Sequence, residues 1–143
     1  MDDITRDVYR YADFVLNSYL AITTKNRIKC FNNEILLFLK DTFDVIAQRW
    51  DVRIIEFKGG GDYVCLLLDY PHRINISSFI MALKGTSSVY TRKQFKDHLA
   101  QFPSNSALWE RHYCLVSTEP KTTDGKSAQQ IVDDYIANKK LKT

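Results

Sequence analysis

Three consecutive glycines, Gly59-Gly60-Gly61, stand between two runs rich in β-branched, aromatic and other apolar residues, Val52 to Phe57 and Tyr63 to Tyr70. Glycine at this density disfavours a helix, and residues of the flanking kinds favour extended backbone, so the segment is expected to fold as a β-hairpin. The three glycines are expected to form its turn, where a positive φ carries no steric penalty. Immediately upstream, Ile35, Leu36, Leu39, Phe43, Ile46 and Ala47 recur at helical spacing from a capping Asn32 or Asn33 to about Arg49. That apolar stripe needs a sheet to cover, and the hairpin supplies one.

The remaining segments extend this nucleus. From about Asp7 to Leu20, the spacing of Val8, Tyr11, Ala12, Val15 and Tyr19 predicts an N-terminal helix, taken as a helical extension over residues 1–18. Tyr19 to Thr23 alternates better as a first strand, closing at the basic polar stretch Thr24-Lys25-Asn26-Arg27. Beyond Pro71, with Asn75 or Ser77 as cap, Ile76, Phe79, Ile80 and Leu83 give a helix to Gly85; Val89, Tyr90 and Phe95 indicate its continuation or a second helix. The stretch Gln101 to Ala107, with Pro103, reads as a loop, and Tyr113 to Ser117 as a further strand. Glu119 to Lys126 lacks periodicity, and Ser127 can cap a last helix over 127–139 containing Ile131, Val132, Tyr135 and Ile136, after which the tail 139–142 is expected to fray. Apart from the ends, the order is β-α-β-β-α-β. That order predicts an α+β, ferredoxin-like sandwich, an antiparallel sheet with helices on one face, preceded by an extra N-terminal helix.

The 143 residues hold one hydrophobic core, so 1–143 is expected to be a single domain. A formal net charge of +3 permits a phosphate-bearing partner without demanding one. Cys30, Cys65 and Cys114 are odd in number and show no C-x-x-C spacing, which argues against a disulfide framework or a zinc finger and for a reducing compartment. The first residues lack a positive region followed by an apolar one, and the longest apolar run, Val64 to Leu68, is far too short to span a bilayer. A cytoplasmic protein with no membrane partner is expected.

Three segments, in this order and spacing, resemble the single-tyrosine HUH transposases of small insertion sequences. The first is the hairpin ending in Asp62-Tyr63-Val64-Cys65-Leu66-Leu67-Leu68, the second Ile76 to Ser88 with Leu83-Lys84-Gly85-Thr86-Ser87-Ser88 at its end. The third runs from Leu108-Trp109 through His112-Tyr113-Cys114-Leu115-Val116-Ser117 to the helix Ile131-Val132-Asp133-Asp134-Tyr135-Ile136. The likeness extends from about Tyr19 to Lys139, and Leu-Lys-Gly-x-Ser-Ser is its most specific piece. It implies metal-dependent cleavage and joining of single-stranded DNA. In the family, two histidines at i and i+2 of a strand, which share one sheet face, bind a divalent metal, usually with a glutamine one turn after the tyrosine. The tyrosine oxygen attacks the scissile phosphate, forming a phosphotyrosine and releasing a 3′-hydroxyl.

Aligned with the family, this chain carries Tyr63 and Cys65 at the histidine positions, Tyr135 at the nucleophile position and Lys139 in place of the glutamine. Phenol and thiol are poor ligands for magnesium or manganese, and an ammonium repels a cation. His72 lies just past the strand and His98 and His112 on other segments, so none restores an i, i+2 pair. No cofactor is therefore expected, Mg2+ or Mn2+ being required only if the chain is a divergent active transposase using Tyr135. Tyr135, Tyr63 and Cys65 also have an ordinary packing interpretation. The preferred expectation is a transposase-family protein that binds single-stranded or hairpin DNA with its chemistry impaired; a regulator binding DNA or structured RNA is a third. Lys25, Arg27, Lys29, Lys84, Ser87, Ser88, Arg92 and Arg111 are the expected nucleic-acid contacts, with a solvated surface as their alternative. The resemblance also implies a homodimer.

Overall fold

The computed structural model describes residues 16–103, 107–118 and 127–138. Period-two alternation settles the central strands. In β1 (Leu16–Thr23), Leu20 and Ile22 are fully buried beside Leu66 and Val64 of β3 (Tyr63–Tyr70), its antiparallel partner. The intervening residues, Tyr19, Ala21, Cys65 and Leu67, project to the opposite face. Strand β2 (Arg53–Gly60) pairs with the outer side of β3, and β4 (Cys114–Ser117) with the outer side of β1, giving the all-antiparallel order β2-β3-β1-β4.

Two helices lie on the Leu20/Leu66 face. Helix α1 (Asn33–Arg49) contributes Ile35, Leu39, Phe43 and Ile46, and α2 (Ile76–Gln94) contributes Phe79, Ile80 and Leu83 to one continuous core with the strands. Both start on an asparagine cap: Asn32 Oδ1 accepts from the Ile35 amide at 2.8 Å and Asn75 Oδ1 from the Ser78 amide at 3.1 Å. A short α3 (Lys96–Leu99) follows α2, and α4 (Ala128–Asn138), begun by Ser127 Oγ accepting from the Gln130 amide at 3.1 Å, covers the other face. The ferredoxin-like α+β sandwich is the architecture the sequence predicts, with α4 as the helix that departs from the shared face.

Two local expectations are corrected. The first strand begins at Leu16 instead of Tyr19: Leu16, Asn17 and Ser18 pair with Tyr70, Asp69 and Leu68, so the helical reading fails over residues 16–18. Ser18 conceals the alternation because it is a polar residue in the inward row, buried with its hydroxyl 2.8 Å from the Tyr70 hydroxyl. The rest of the expected N-terminal helix, residues 1–15, lies outside the described residues, as do Glu119 to Lys126 and the tail from Lys139. Of the two alternatives expected beyond Gly85, continuation is the one observed: α2 runs through it to Gln94.

The glycine run is the second correction. Gly59 and Gly60 belong to β2, paired with Val64 and Tyr63, and the turn is Gly61-Asp62. Close approach is what requires glycine here. A Cβ on Gly59 would stand 2.7 Å from Leu36 Cδ2 and 3.0 Å from the Tyr63 carbonyl oxygen, and one on Gly60 would stand 2.5 Å from the Tyr63 ring. Because the Tyr63 oxygen is backbone, Gly59→Ala is expected to lower stability by about 1–3 kcal/mol in urea denaturation, the usual range for overpacking.

Candidate functional site

The face away from the main core carries a second, smaller cluster. Ala21, Cys65 and Val132 are its buried centre, with Tyr19, Tyr63, Cys114, Val116, Tyr135 and Ile136 packed around them. Strand pairing sets the layout: Tyr63 lies beside Thr23, Cys65 beside Ala21, and Ala21 beside Cys114. On α4, Val132, Tyr135 and Ile136 recur at three- and four-residue spacing and so descend on the same patch. Positions 63 and 65 on a strand and 135 on a facing helix therefore converge. The Tyr135 hydroxyl oxygen is shielded from solvent. Lys139 lies outside the described residues.

The electrostatics of this patch follow from burial. Cys65 is 2% exposed, and desolvation of a thiolate there pushes the thiol up to about 11. Lys58, its cross-strand neighbour on β2, pulls in the opposite direction, and Asp133, Cys114 and Glu56 add to the rise. Burial raises the Cys114 thiol as well. The polar groups of the cluster are thus the hydroxyls of Tyr19, Tyr63 and Tyr135 and the thiols of Cys65 and Cys114, which burial keeps protonated at neutral pH. Among the described residues no three His, Cys, Asp or Glu side chains are grouped to hold a metal ion. His98 is engaged elsewhere, its Nε2 2.9 Å from the Cys30 carbonyl oxygen, and His72 and His112 are exposed on other segments. This donor set does not suit a hard divalent cation.

The Leu83-to-Ser88 signature forms a strut. The Lys84 ammonium donates to the carbonyl oxygens of Glu110 at 2.7 Å and Arg111 at 3.0 Å and lies 5.7 Å from the Tyr113 ring centre. Burial lowers the Lys84 pKa, with the Glu110 carboxylate opposing that shift. Ser87 is fully buried: its hydroxyl donates to the Lys84 carbonyl at 3.2 Å and accepts the Trp109 indole N–H at 3.0 Å. Trp109 in turn packs on Phe31 and pairs with Thr24 across an isolated bridge. The phosphate contact expected of Ser87 is closed off by this burial. Arg27 is likewise turned inward, its Nε 3.0 Å from Asp62 Oδ2, with side chains only 13% and 8% exposed.

The other expected contacts remain at the surface. Lys29 and Arg111 are exposed and Ser88 half-buried. Lys25 and Arg92 come together on the lining of one cavity, joined by Lys93 and Lys96. Those last two were not among the residues singled out in the sequence, although the basic run Arg92-Lys93-Gln94-Phe95-Lys96 announces them.

The fold is shared with known proteins. The sequence pattern of the family described as "Transposase IS200 like" matches residues 14–139. Transposases for insertion sequence element IS200 from Salmonella typhimurium and Salmonella typhi are each 29% identical over 118 residues, 82% of this chain and 72% of theirs. A crystal structure of a candidate transposase from Deinococcus radiodurans R1 superposes with a TM-score of 0.72 at 28% identity, covering 87% of this chain and 90% of that one. A REP-associated tyrosine transposase, solved bound to a REP hairpin, shares the fold at a TM-score of 0.52 and 13% identity, over 90% of this chain and 68% of the other. The chain belongs to the IS200-like transposase family. No helix among the described residues is long and apolar enough to cross a membrane.

Two predictions follow from the site. A thiol near 9.0 when unfolded and about 11 when folded favours the folded state fully below pH 9, and this contribution is lost as pH rises toward 11. Urea midpoints should fall over that window, and Cys65→Ala should flatten the fall. Ser87→Ala leaves the buried Trp109 N–H without its acceptor and should cost about 1–3 kcal/mol of stability. DNA affinity measured below the melting range should be unchanged, whereas loss of affinity in a fully folded variant would restore a phosphate role for Ser87.

Proposed function

We propose that this transposase-family chain binds single-stranded or hairpin DNA and is impaired in cutting it. The observation that carries the proposal is the convergence of Tyr63, Cys65 and Tyr135 in one cluster whose donors are phenols and a protonated thiol. The geometry of a strand pair facing a tyrosine helix is kept, while the groups that would hold a hard cation are absent from positions 63 and 65. The shielded Tyr135 hydroxyl supports the same reading, since an attacking oxygen must reach phosphorus.

The binding half rests on the cavity that gathers Lys25, Arg92, Lys93 and Lys96, because clustered cations neutralise phosphates without reading sequence. The REP hairpin held by the tyrosine transposase of similar fold is consistent with a hairpin ligand here. A homodimer belongs to the same proposal: β4 is an edge strand, whose outward backbone groups are a ready surface for pairing. A second reading, active cleavage through Tyr135, is favoured by the placement of Tyr135 over positions 63 and 65.

Labelled hairpin DNA incubated with the protein in magnesium, manganese or chelator separates these readings. A gel shift in all three buffers with no denaturation-resistant adduct is expected, and sedimentation of the free protein should give twice the chain mass. An adduct that requires metal and disappears in Tyr135→Phe would establish an active enzyme and overturn the impairment. An RNA hairpin that competes better than DNA would move the partner to structured RNA.

A further inference from the structure

We infer that Tyr63 and Lys58 hold one unpaired nucleotide of single-stranded DNA on the α4 side of the sheet, the Tyr63 ring stacking on the base and the Lys58 ammonium meeting its phosphate. The assignment rests on the single-stranded DNA reading above, and it gives Tyr63 a use other than that of the metal-binding histidine whose aligned place it takes. Register brings the two groups together. Lys58 of β2 is paired with Cys65 and Gly60 with Tyr63, so Lys58, Tyr63 and Cys65 share the face on which α4 packs. Lys58 and Tyr63 are diagonal neighbours, about 7–8 Å apart at the backbone and within reach of an aromatic and a long side chain. A base and its own phosphate span a similar gap.

Gly60 decides how the ring lies. A Cβ there would stand 2.5 Å from Tyr63 Cε1 and 3.3 Å from its Cζ, so the ring, half-buried, is laid across β2 where a side chain is missing. Helix α4 packs chiefly on β1 and β4, and Lys58 on β2 is exposed, which puts the phenol at the margin of the helix. An aromatic ring in such a place stacks on any base, because every base has a π-face. Between ring and ammonium lies the Cys65 thiol, buried and protonated, which brings no charge of its own against a phosphate. Glu56, beside Leu67, and Asp133 on α4, whose Oδ1 accepts from Gln129 Nε2 at 2.8 Å, are the anions of the same neighbourhood. Their repulsion keeps a run of phosphates away, so the subsite takes one nucleotide and not a tract.

The full chain is titrated in chelator with hairpin DNA and with single-stranded oligothymidylate carrying one 2-aminopurine, a base whose fluorescence falls when it stacks, at several salt concentrations. Saturating protein should quench the 2-aminopurine. Tyr63→Leu should abolish the quenching and weaken binding of the strand about tenfold, and Tyr63→Phe, which keeps the ring, should restore both. Because the ring also covers Gly60 and so protects the sheet, circular dichroism of Tyr63→Leu accompanies the titration. Lys58→Ala, at an exposed position, should lower the salt dependence of binding by about one phosphate contact, a readout independent of how Tyr63→Leu folds.

Quenching that Tyr63→Leu removes and Tyr63→Phe restores, together with the lower salt dependence of Lys58→Ala, supports the subsite. If the strand binds without quenching, if quenching survives Tyr63→Leu, or if Lys58→Ala leaves the salt dependence unchanged, the subsite is overturned while DNA binding stands. Binding of hairpin DNA alone has the same meaning. If neither the strand nor the hairpin binds, both proposals fall.

Discussion

The antiparallel register that sets Leu20 beside Leu66 and Ala21 beside Cys65 assigns every side chain of the two central strands to a face. A slip of one residue would send Leu20, Ile22, Val64 and Leu66 away from α1 and α2 and bring Cys65 and Tyr63 into their place. Burial of these four residues, together with Phe43 and Phe79 from the helices, makes that slip prohibitive, since each fully buried side chain contributes about 1.5–3 kcal/mol. The tyrosine cluster is thus positioned by a core to which it does not itself belong.

Much of this was legible in the sequence because it is local or periodic. The stripe of α1, the asparagine caps, the hairpin and the final helix each leave a pattern within a dozen residues, and the resemblance to the single-tyrosine transposases rests on the same segments. The start of β1 was hidden, because Ser18 breaks the apolar alternation and only a partner 52 residues away, Tyr70, makes its burial favourable. The glycine run was placed correctly as a hairpin but for the wrong reason. Its need for glycine comes from Leu36 and Tyr63, neither of which a turn rule consults.

Site residues divide along the same line. That Tyr63, Cys65 and Tyr135 meet follows from i, i+2 strand spacing and a facing helix. That Ser87 and Arg27 turn inward does not, because whether a polar side chain meets solvent or a buried indole depends on a segment that arrives 22 residues later, or on a carboxylate 35 residues away. Lys84 is similar: its charge suggests a phosphate, yet two backbone carbonyls of the chain leading toward β4 claim it first. Composition names the chemistry available, and packing decides where it is used.

The two-residue turn between β2 and β3 is fastened by backbone groups, the Thr24 amide to the Asp62 carbonyl at 2.9 Å and the Phe31 amide to the Gly61 carbonyl at 3.0 Å. Main-chain bonds are indifferent to the side chain carried at the next position. The address of residue 63, and of residue 65 beyond it, is therefore written in peptide groups, while the occupants of those addresses must still fit the packed cluster beneath α4. Position and chemistry at this site thus come from different parts of the chain: peptide groups fix where residues 63 and 65 stand, and their side chains decide what can be done there.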